Sequence, residues 1–196
     1  DYNFYNNTVK INSAIISPIS DYAFKYYRYK LEGVFYDNRG NLINKIKVIP
    51  RRQNDPVFSG SIYIVEDQWA LFGLELQVKG SQIQTPIADL ITIKQNLTYD
   101  ENEDQWVIRS QTIGFKFRFL GFNGDGIFVA NYSDYTLNPM FEKDEFSSEI
   151  LAFEGEANKK DSKYWNKLRP VPLTNEELKD YIKKDSIQTH KSSKTY

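Results

Sequence analysis

The chain of 196 residues contains no cysteine and only one histidine, and these two shortages remove much familiar catalytic and metal-binding chemistry. Without cysteine there is no thiol catalysis, no cysteine-based zinc site and no disulfide, while the redox compartment stays open. The single histidine, His190, lies in a polar stretch near the end, where nothing fixes its tautomer. Serine–histidine–aspartate triads and HExxH metal sites need a histidine held by structure, so the sequence argues against both.

The chain also lacks a charge excess of either sign and any long apolar run. Lys and Arg number 25 and Asp and Glu number 26, so composition shows no electrostatic footprint for duplex DNA or for an anionic membrane. No run approaches the roughly 18 apolar residues of a membrane-spanning helix, and we expect a soluble domain. Nucleic acid is therefore not an expected partner.

Aromatic residues are what the chain has in abundance, with 14 Tyr, 13 Phe and 3 Trp. Such rings favour the half-buried, pleated surface of a β-sheet. They either fill a β core and its rims or form a stacking surface for sugars, lipids or bases. The length suits one large domain, and all-β domains often reach this size.

Hydrophobic alternation runs through most of the region from Phe24 to Leu137 and predicts seven or eight strands. The pattern is clear where Phe115 and Phe117 alternate with Lys116 and Arg118. One face of each strand is then apolar and the other polar, which is typical of antiparallel sheets. We expect a mainly β fold with a curved antiparallel sheet, as an open sheet or partial barrel, with a sandwich as the alternative.

Turn chemistry divides the strands. The segments Asp37–Gly40, Asp100–Asp104 and Asn123–Gly126 are each flanked by apolar residues and are rich in Asp, Asn and Gly, which tolerate the positive φ of tight hairpins. All three are predicted hairpin turns. The segment Ser17–Asp21 predicts a turn or a helix start, because Pro18 ends any strand before it.

The end of the chain has a different character. Asn138-Pro139 breaks the sheet pattern, and a capping box at Thr174–Glu177 predicts a C-terminal helix from Asn175 to about Asp185. Residues 188–196 are polar and aperiodic, and we interpret them as a tail or linker. The expected organisation is one β-rich domain over residues 1–187 followed by this tail.

Side chains for chemistry are few. Glu66, Glu75 and Asp89 are candidates for the paired carboxylates of a glycan hydrolase, but alternation assigns each a solvent-facing or turn position. Asp100–Asp104 imitates the start of a calcium loop and then lacks its Gly and its bidentate Glu. The densest basic cluster is Lys45, Lys47, Arg51 and Arg52, and Arg28 and Lys30 are expected near it. These side chains could bind a phosphate or a carboxylate, but we expect them to form a charged outer face of the sheet. We assign no catalytic, cofactor or metal residues, expect no enzyme and leave the ligand-binding residues open.

Several stretches spread along the chain together carry a family resemblance, namely Ser17–Ile19, Tyr29–Gly33, Lys45–Arg52, Phe58–Ile64, Tyr164-Trp165, Arg169–Thr174 and Glu177. They resemble the central region of uncharacterised Bacteroidetes envelope proteins labelled carboxypeptidase-like regulatory-domain-containing proteins. The resemblance implies a position between an immunoglobulin-like regulatory domain and an outer-membrane β-barrel. It also implies a periplasmic or cell-surface location through the parent chain, and no peptidase activity. The rest of the parent chain, including that barrel, is then the expected partner.

A more remote likeness is to lipoprotein-localisation carriers. The stretches that support it are Val48–Pro50, Gly60–Ile64 and Trp69–Leu71. Those carriers hold acyl chains in a curved half-barrel. The two resemblances imply two functions, a non-catalytic binding or scaffolding module with a lipid or glycan as a further partner, and a carrier of a lipid or other hydrophobe in the concave face.

Overall fold

The computed structural model describes residues 2–141 and, beyond them, residues 160–161, 163–164, 178–180, 182–183 and 186. Contacts divide the chain into two compact units, Asp1–Pro139 and Met140–Tyr196. In the second unit, residues 178–180 and 182–183 are helical and fall inside the predicted C-terminal helix, whose ends lie outside the described residues. His190 and the tail also lie outside them, and the extent of the domain, 1–187, stays a prediction.

The first unit is built from β-strands, as predicted. A short hairpin precedes a seven-stranded sheet in which each strand pairs antiparallel with the next along the chain. The strands are β1 (Thr8–Lys10), β2 (Ala14–Ile16), β3 (Tyr27–Tyr36), β4 (Leu42–Pro50), β5 (Ser59–Val65), β6 (Leu71–Lys79), β7 (Ala88–Asp100), β8 (Gln105–Phe119) and β9 (Phe122–Asn131). The sheet order runs from β3 to β9, and β3 does not pair with β9, so the sheet is open.

The buried core lies on one face of β3 to β7, beneath the N-terminal segment. Phe4, Val9 and Ile15 from that segment are fully buried and belong to one cluster with the inward-facing residues of the sheet. Those inward-facing residues are Tyr27, Val48, Ile62, Leu74, Leu76, Val78 and Ile93. Burial of side chains of this size stabilises the fold by roughly 1.5–3 kcal/mol each. The N-terminal segment therefore covers the face that alternation marked as apolar.

Two of the three predicted hairpin turns are confirmed. Asp37–Gly40 joins β3 to β4, and the polar segment after Asp100 joins β7 to β8. In the first turn, the Asp37 carboxylate accepts hydrogen bonds from the amides of Arg39 and Asn41, at 2.9 and 2.8 Å. Pro18 lies in a turn between β2 and a short 3₁₀ segment, as its ring predicts.

The third turn prediction, Asn123–Gly126, is wrong, because these residues lie inside β9. The reversal occurs at Leu120-Gly121, where both residues have positive φ, 47° and 84°. Gly124 and Gly126 serve packing instead. A Cβ on either would lie 2.4 or 2.3 Å from the tip of the Phe117 or Phe115 ring, so the missing side chains make room for two rings that cross from β8.

No helix among the described residues is long and apolar enough to cross a membrane.

Candidate interaction surface on the last two strands

The end of the sheet formed by β8 and β9 exposes large apolar side chains on both faces. Ile93 on β7 pairs with Ile113 on β8, and Ile113 pairs with Phe128 on β9, so the three side chains lie on the core face of the sheet. Phe128, the outermost of them, is exposed. On the opposite face Ile127 is 69% exposed and Val129 is also exposed. We call Phe115, Ile127, Phe128 and Val129 the β9 surface. Phe115 and Phe128 lie on the core face, and Ile127 and Val129 lie on the opposite face. Exposed apolar area at a sheet edge marks interaction sites in folded proteins.

The two edges of the sheet differ in how they are protected. The β3 edge carries Arg28, Lys30 and Glu32, and its pairing with β4 is interrupted by a bulge between Leu31 and Gly33. Charges and bulges are the devices by which proteins prevent edge strands from pairing with other chains. The β9 edge carries one charged residue, Asp125, and within the described residues has no second neighbouring strand. Among the described residues, the β9 edge is thus the less protected of the two edges.

The connections at one end of the sheet are strongly acidic. The turns 37–41, 66–70 and 101–104 contain one basic residue, Arg39, and six acidic residues, Asp37, Glu66, Asp67, Glu101, Glu103 and Asp104. We call this the acidic end. The opposite end, which holds the β8–β9 turn, has Lys25, Arg51 and Arg52 against Asp21 and Asp55 in its connections. Among the described residues, the connections at one end of the sheet are therefore strongly acidic and those at the other end are nearly neutral.

A row of aromatic rings crosses the sheet near the acidic end. Phe35, Phe72 and Trp106 lie edge to face, with ring centroids 5.9 and 6.0 Å apart, and Tyr99 continues the row 5.7 Å from Trp106. The Arg39 guanidinium caps it, 4.7 Å from the centre of the Tyr99 ring. These contacts satisfy the aromatic faces from within the sheet, so this row stabilises the fold rather than offering free faces for stacking.

Two side chains at the acidic end have shifted pKa values, Asp37 and Tyr99, and hydrogen bonds within their own turns cause both shifts. Slight burial raises the pKa of the Asp37 carboxyl, but hydrogen bonds from the Asn41 side chain and from the Asn41 and Arg39 amides outweigh it, so the pKa lies below its usual value. The hydrogen bond from the Tyr99 hydroxyl to Asp104 raises the pKa of that tyrosine. Both groups keep their ordinary charge near neutral pH, and neither is poised as an acid or base.

The sequence-derived candidates for chemistry are spread out. Glu75 is exposed in the middle of β6, Glu66 is exposed at the acidic end, and Asp89 is exposed at the opposite end near the start of β7. At about 3.3 Å per residue, half a strand separates Glu75 from either of the others. The structure does not bring these three carboxylates together. Within the described residues no group of three or more His, Cys, Asp or Glu side chains is placed to hold a metal ion.

The loop that imitates a calcium site forms a hairpin turn. The Asp100 carboxylate accepts hydrogen bonds from the backbone amides of Asn102 and Glu103, at 2.9 and 3.3 Å. An Asx turn of this kind uses the carboxylate to stabilise the reversal. Oδ1 of Asp100 therefore has a structural role in the turn.

The basic cluster divides into two groups. Lys30 pairs with Lys47 across β3 and β4, and Lys45 lies on the same outer face, where it forms an ion pair with Glu32 at 3.3 Å. Arg51 instead donates its Nε hydrogen bond to the backbone oxygens of Phe24 and Tyr27, which holds the chain at the start of β3. The three lysines lie on a charged outer face, as expected, whereas Arg51 has a structural role.

Two shallow clefts lie on the β-sheet unit, one on each face of the sheet. One of about 290 Å³ lies beneath the N-terminal residues and is largely apolar, lined by Tyr2, Phe4, Leu71, Leu97, Trp106 and Ile108. The other, of about 260 Å³, lies on the outer face beside Lys45, Lys47, Tyr63 and Glu75. The first is near the lower size limit of small-molecule sites, which begin at roughly 300 Å³.

Sequence reasoning does not find the β9 surface. Interpreting Asn123–Gly126 as a turn removes half of β9 from consideration. The signal that could have revealed the surface is a run of three apolar residues, Ile127–Val129, with no charge to protect a strand edge.

Comparison with known proteins yields a family and no closer relative. No curated protein matches the chain, and no solved structure matches it. A model of a family of unknown function (DUF5686) matches residues 1–135 of the 196. That match covers the N-terminal segment and all seven strands of the large sheet. The chain therefore belongs to the DUF5686 family.

Proposed function

We propose that this chain is a non-catalytic binding or scaffolding module of a larger bacterial cell-envelope protein, and that it binds through the β9 surface. The observation that carries the proposal is the exposure of Ile127, Phe128 and Val129 on the edge strand β9, which has little charge, together with exposed Phe115 on the neighbouring strand β8. Burying such side chains against a partner stabilises a complex, and a strand edge adds backbone hydrogen bonds.

The partner we propose is the remainder of the parent chain, including an outer-membrane β-barrel. Support comes from the resemblance to carboxypeptidase-like regulatory-domain-containing proteins of Bacteroidetes, in which the similar region precedes a barrel. We accordingly propose a periplasmic or cell-surface location, attached to the outer membrane through that chain. Membership of a family of unknown function is compatible with this and supplies no activity.

A second candidate function is the carriage of a lipid or other hydrophobe. The observation that favours it is the apolar cleft of about 290 Å³ beneath Tyr2 and Phe4. In this alternative the N-terminal segment would act as a movable cover. The cleft is small for an acyl chain, and the side chains beside it are packed, so we rank binding first.

Site-specific photo-cross-linking in cells tests the proposal. A photoreactive amino acid replaces Ile127 in the parent protein, and in a matched variant it replaces Val34 on the β3 edge, which is 54% exposed. We expect a discrete intramolecular or intermolecular product from position 127 and none from position 34, because the β9 edge carries one charge and the β3 edge carries three charges and a bulge. Mass spectrometry of the product identifies the attached segment.

Two outcomes would count against the proposal. Absence of a discrete product at position 127 would show that nothing occupies the β9 surface. Equal products at positions 34 and 127 would show that the two edges are equally accessible to random collision.

A further inference from the structure

The geometry points to the β8–β9 end of the sheet as a docking end that inserts apolar side chains into an anionic lipid surface. The inference concerns the tip cluster, which we define as Ile87, Leu120 and Phe122, and it goes beyond the β9 surface and its proposed protein partner. Leu120 is 80% exposed and Phe122 is 75% exposed, and Ile87 is half exposed beside them. A backbone hydrogen bond of 3.0 Å from Arg118 to Ile87 joins the two connections that carry the cluster.

The β8–β9 turn has leucine at a position with positive φ, which is unusual for a bulky residue. Leu120 and Gly121 both have positive φ, 47° and 84°, which is the requirement of the tightest hairpin turns, where Asn-Gly is strongly favoured. A bulky apolar side chain at positive φ is strained and, here, faces water. The hairpin thus places leucine where asparagine would be more stable in solution. Strain of this kind at an exposed position points to use by a ligand or partner.

The difference in charge between the two ends of the sheet favours an anionic partner at the tip cluster. The strand ends beside the tip cluster carry Lys79, Lys116 and Arg118 against Asp89 and Asp125. The connections at the same end carry Lys25, Arg51 and Arg52 against Asp21 and Asp55, so six basic side chains outnumber four acidic ones. The far end of the strands holds six acidic side chains and one arginine. An anionic bilayer attracts the first end and repels the second, so it orients the sheet with the tip cluster inward. Interfacial insertion of a few apolar residues with basic neighbours is the usual mode of peripheral membrane binding.

Trp69 provides a matched internal comparison. It is also exposed, 78%, and also has positive φ, 56°, but it lies in the turn 66–70 at the acidic end. If exposed apolar area alone drove binding, Trp69 would insert as readily as Leu120 and Phe122. If charge selects the end, Trp69 stays in water.

Vesicle co-sedimentation of the 196-residue chain tests the inference. The probes are vesicles of phosphatidylcholine alone and of phosphatidylcholine mixed with phosphatidylglycerol. We expect binding to the mixed vesicles that weakens with added salt, since exposed charges are screened. The double variant Leu120→Asn, Phe122→Ser should lower partitioning at least about tenfold, because each lost side chain removes buried apolar area. Trp69→Ser should bind as the unmodified chain does.

The variant is chosen so that unfolding cannot imitate the result. Leu120→Asn relieves the strain at positive φ and Phe122 is 75% exposed, so the urea midpoint of the double variant should not fall. Failure of the unmodified chain to bind mixed vesicles would overturn the inference, as would unchanged binding by the double variant or equal binding to both vesicles. A photo-cross-linker at Leu120 that attaches to protein rather than lipid would also overturn it. None of these outcomes alters the cross-linking result expected at Ile127.

Discussion

Replacing Gly60 with alanine should cost the protein about 2–6 kcal/mol, the sum of roughly 1–3 for a strained backbone and roughly 1–3 for overpacking. Gly60 has φ of +143°, a conformation that side chains rarely adopt, and a Cβ added there would lie 2.1 Å from the carbonyl oxygen of Glu75. That oxygen is backbone of β6, directly beside β5, and it has no rotamer by which to move away. The added methyl group therefore forces the two central strands apart.

Urea unfolding followed by circular dichroism measures the effect, with Gly33→Ala as the matched control. Gly33 also lies in a strand, but nothing lies within 4 Å of its Cβ position and its φ is not in the positive region. We expect the control to be neutral or more stable by about 0.5–1 kcal/mol, because alanine loses less entropy than glycine on folding. A Gly60→Ala protein as stable as the Gly33→Ala protein would contradict the close packing of β5 against β6.

Removing the hydroxyl group of Tyr27 should cost about 2–6 kcal/mol. This side chain is fully buried, its hydroxyl donates to the backbone oxygen of Ile16, and it accepts a hydrogen bond of 3.0 Å from the amide of Phe58. Burial raises the pKa of the hydroxyl, so it stays protonated and able to donate. In Tyr27→Phe both backbone groups lose a partner away from water, at about 1–3 kcal/mol each.

The change should also loosen a particular part of the fold. Tyr27 connects β3 to the end of β2 and to the strand-entry residue Phe58, so its loss should speed amide exchange in β1 and β2 more than in β6 and β7. Tyr36→Phe serves as the control, because Tyr36 is exposed and should lose almost nothing. Uniform faster exchange through the sheet, or an equal loss of stability in both variants, would show that the buried hydroxyl has no local role.

Local patterns account for much of the fold. Alternation around Phe115 and the Asp-rich turns at 37–40 and 100–104 depend on residues adjacent in sequence, and each is present as expected. The period of two and the tolerance of positive φ are properties of single strands and turns. They can therefore be recognised without knowledge of the neighbours in space.

Features that depend on pairing across strands cannot be recovered in this way. Gly124 and Gly126 resemble turn residues until the register places them under the rings of Phe117 and Phe115. The acidic end likewise cannot be recognised from the balanced composition. It forms because antiparallel pairing places three separate turns at the same end of the sheet. The tip cluster also depends on strand pairing. Ile87 lies near the β8–β9 turn only because β7 pairs with β8.

Amide hydrogen exchange in β9 is the most direct test of the central claim, that this chain binds through its last strand. The measurement compares the isolated chain with the same residues in the larger envelope protein that we propose as its parent. We expect the β9 amides that point away from β8 to exchange more slowly in the parent protein, while amides along the β3 edge exchange equally in both. Exchange in β9 that is unchanged by the rest of the parent protein would contradict the account.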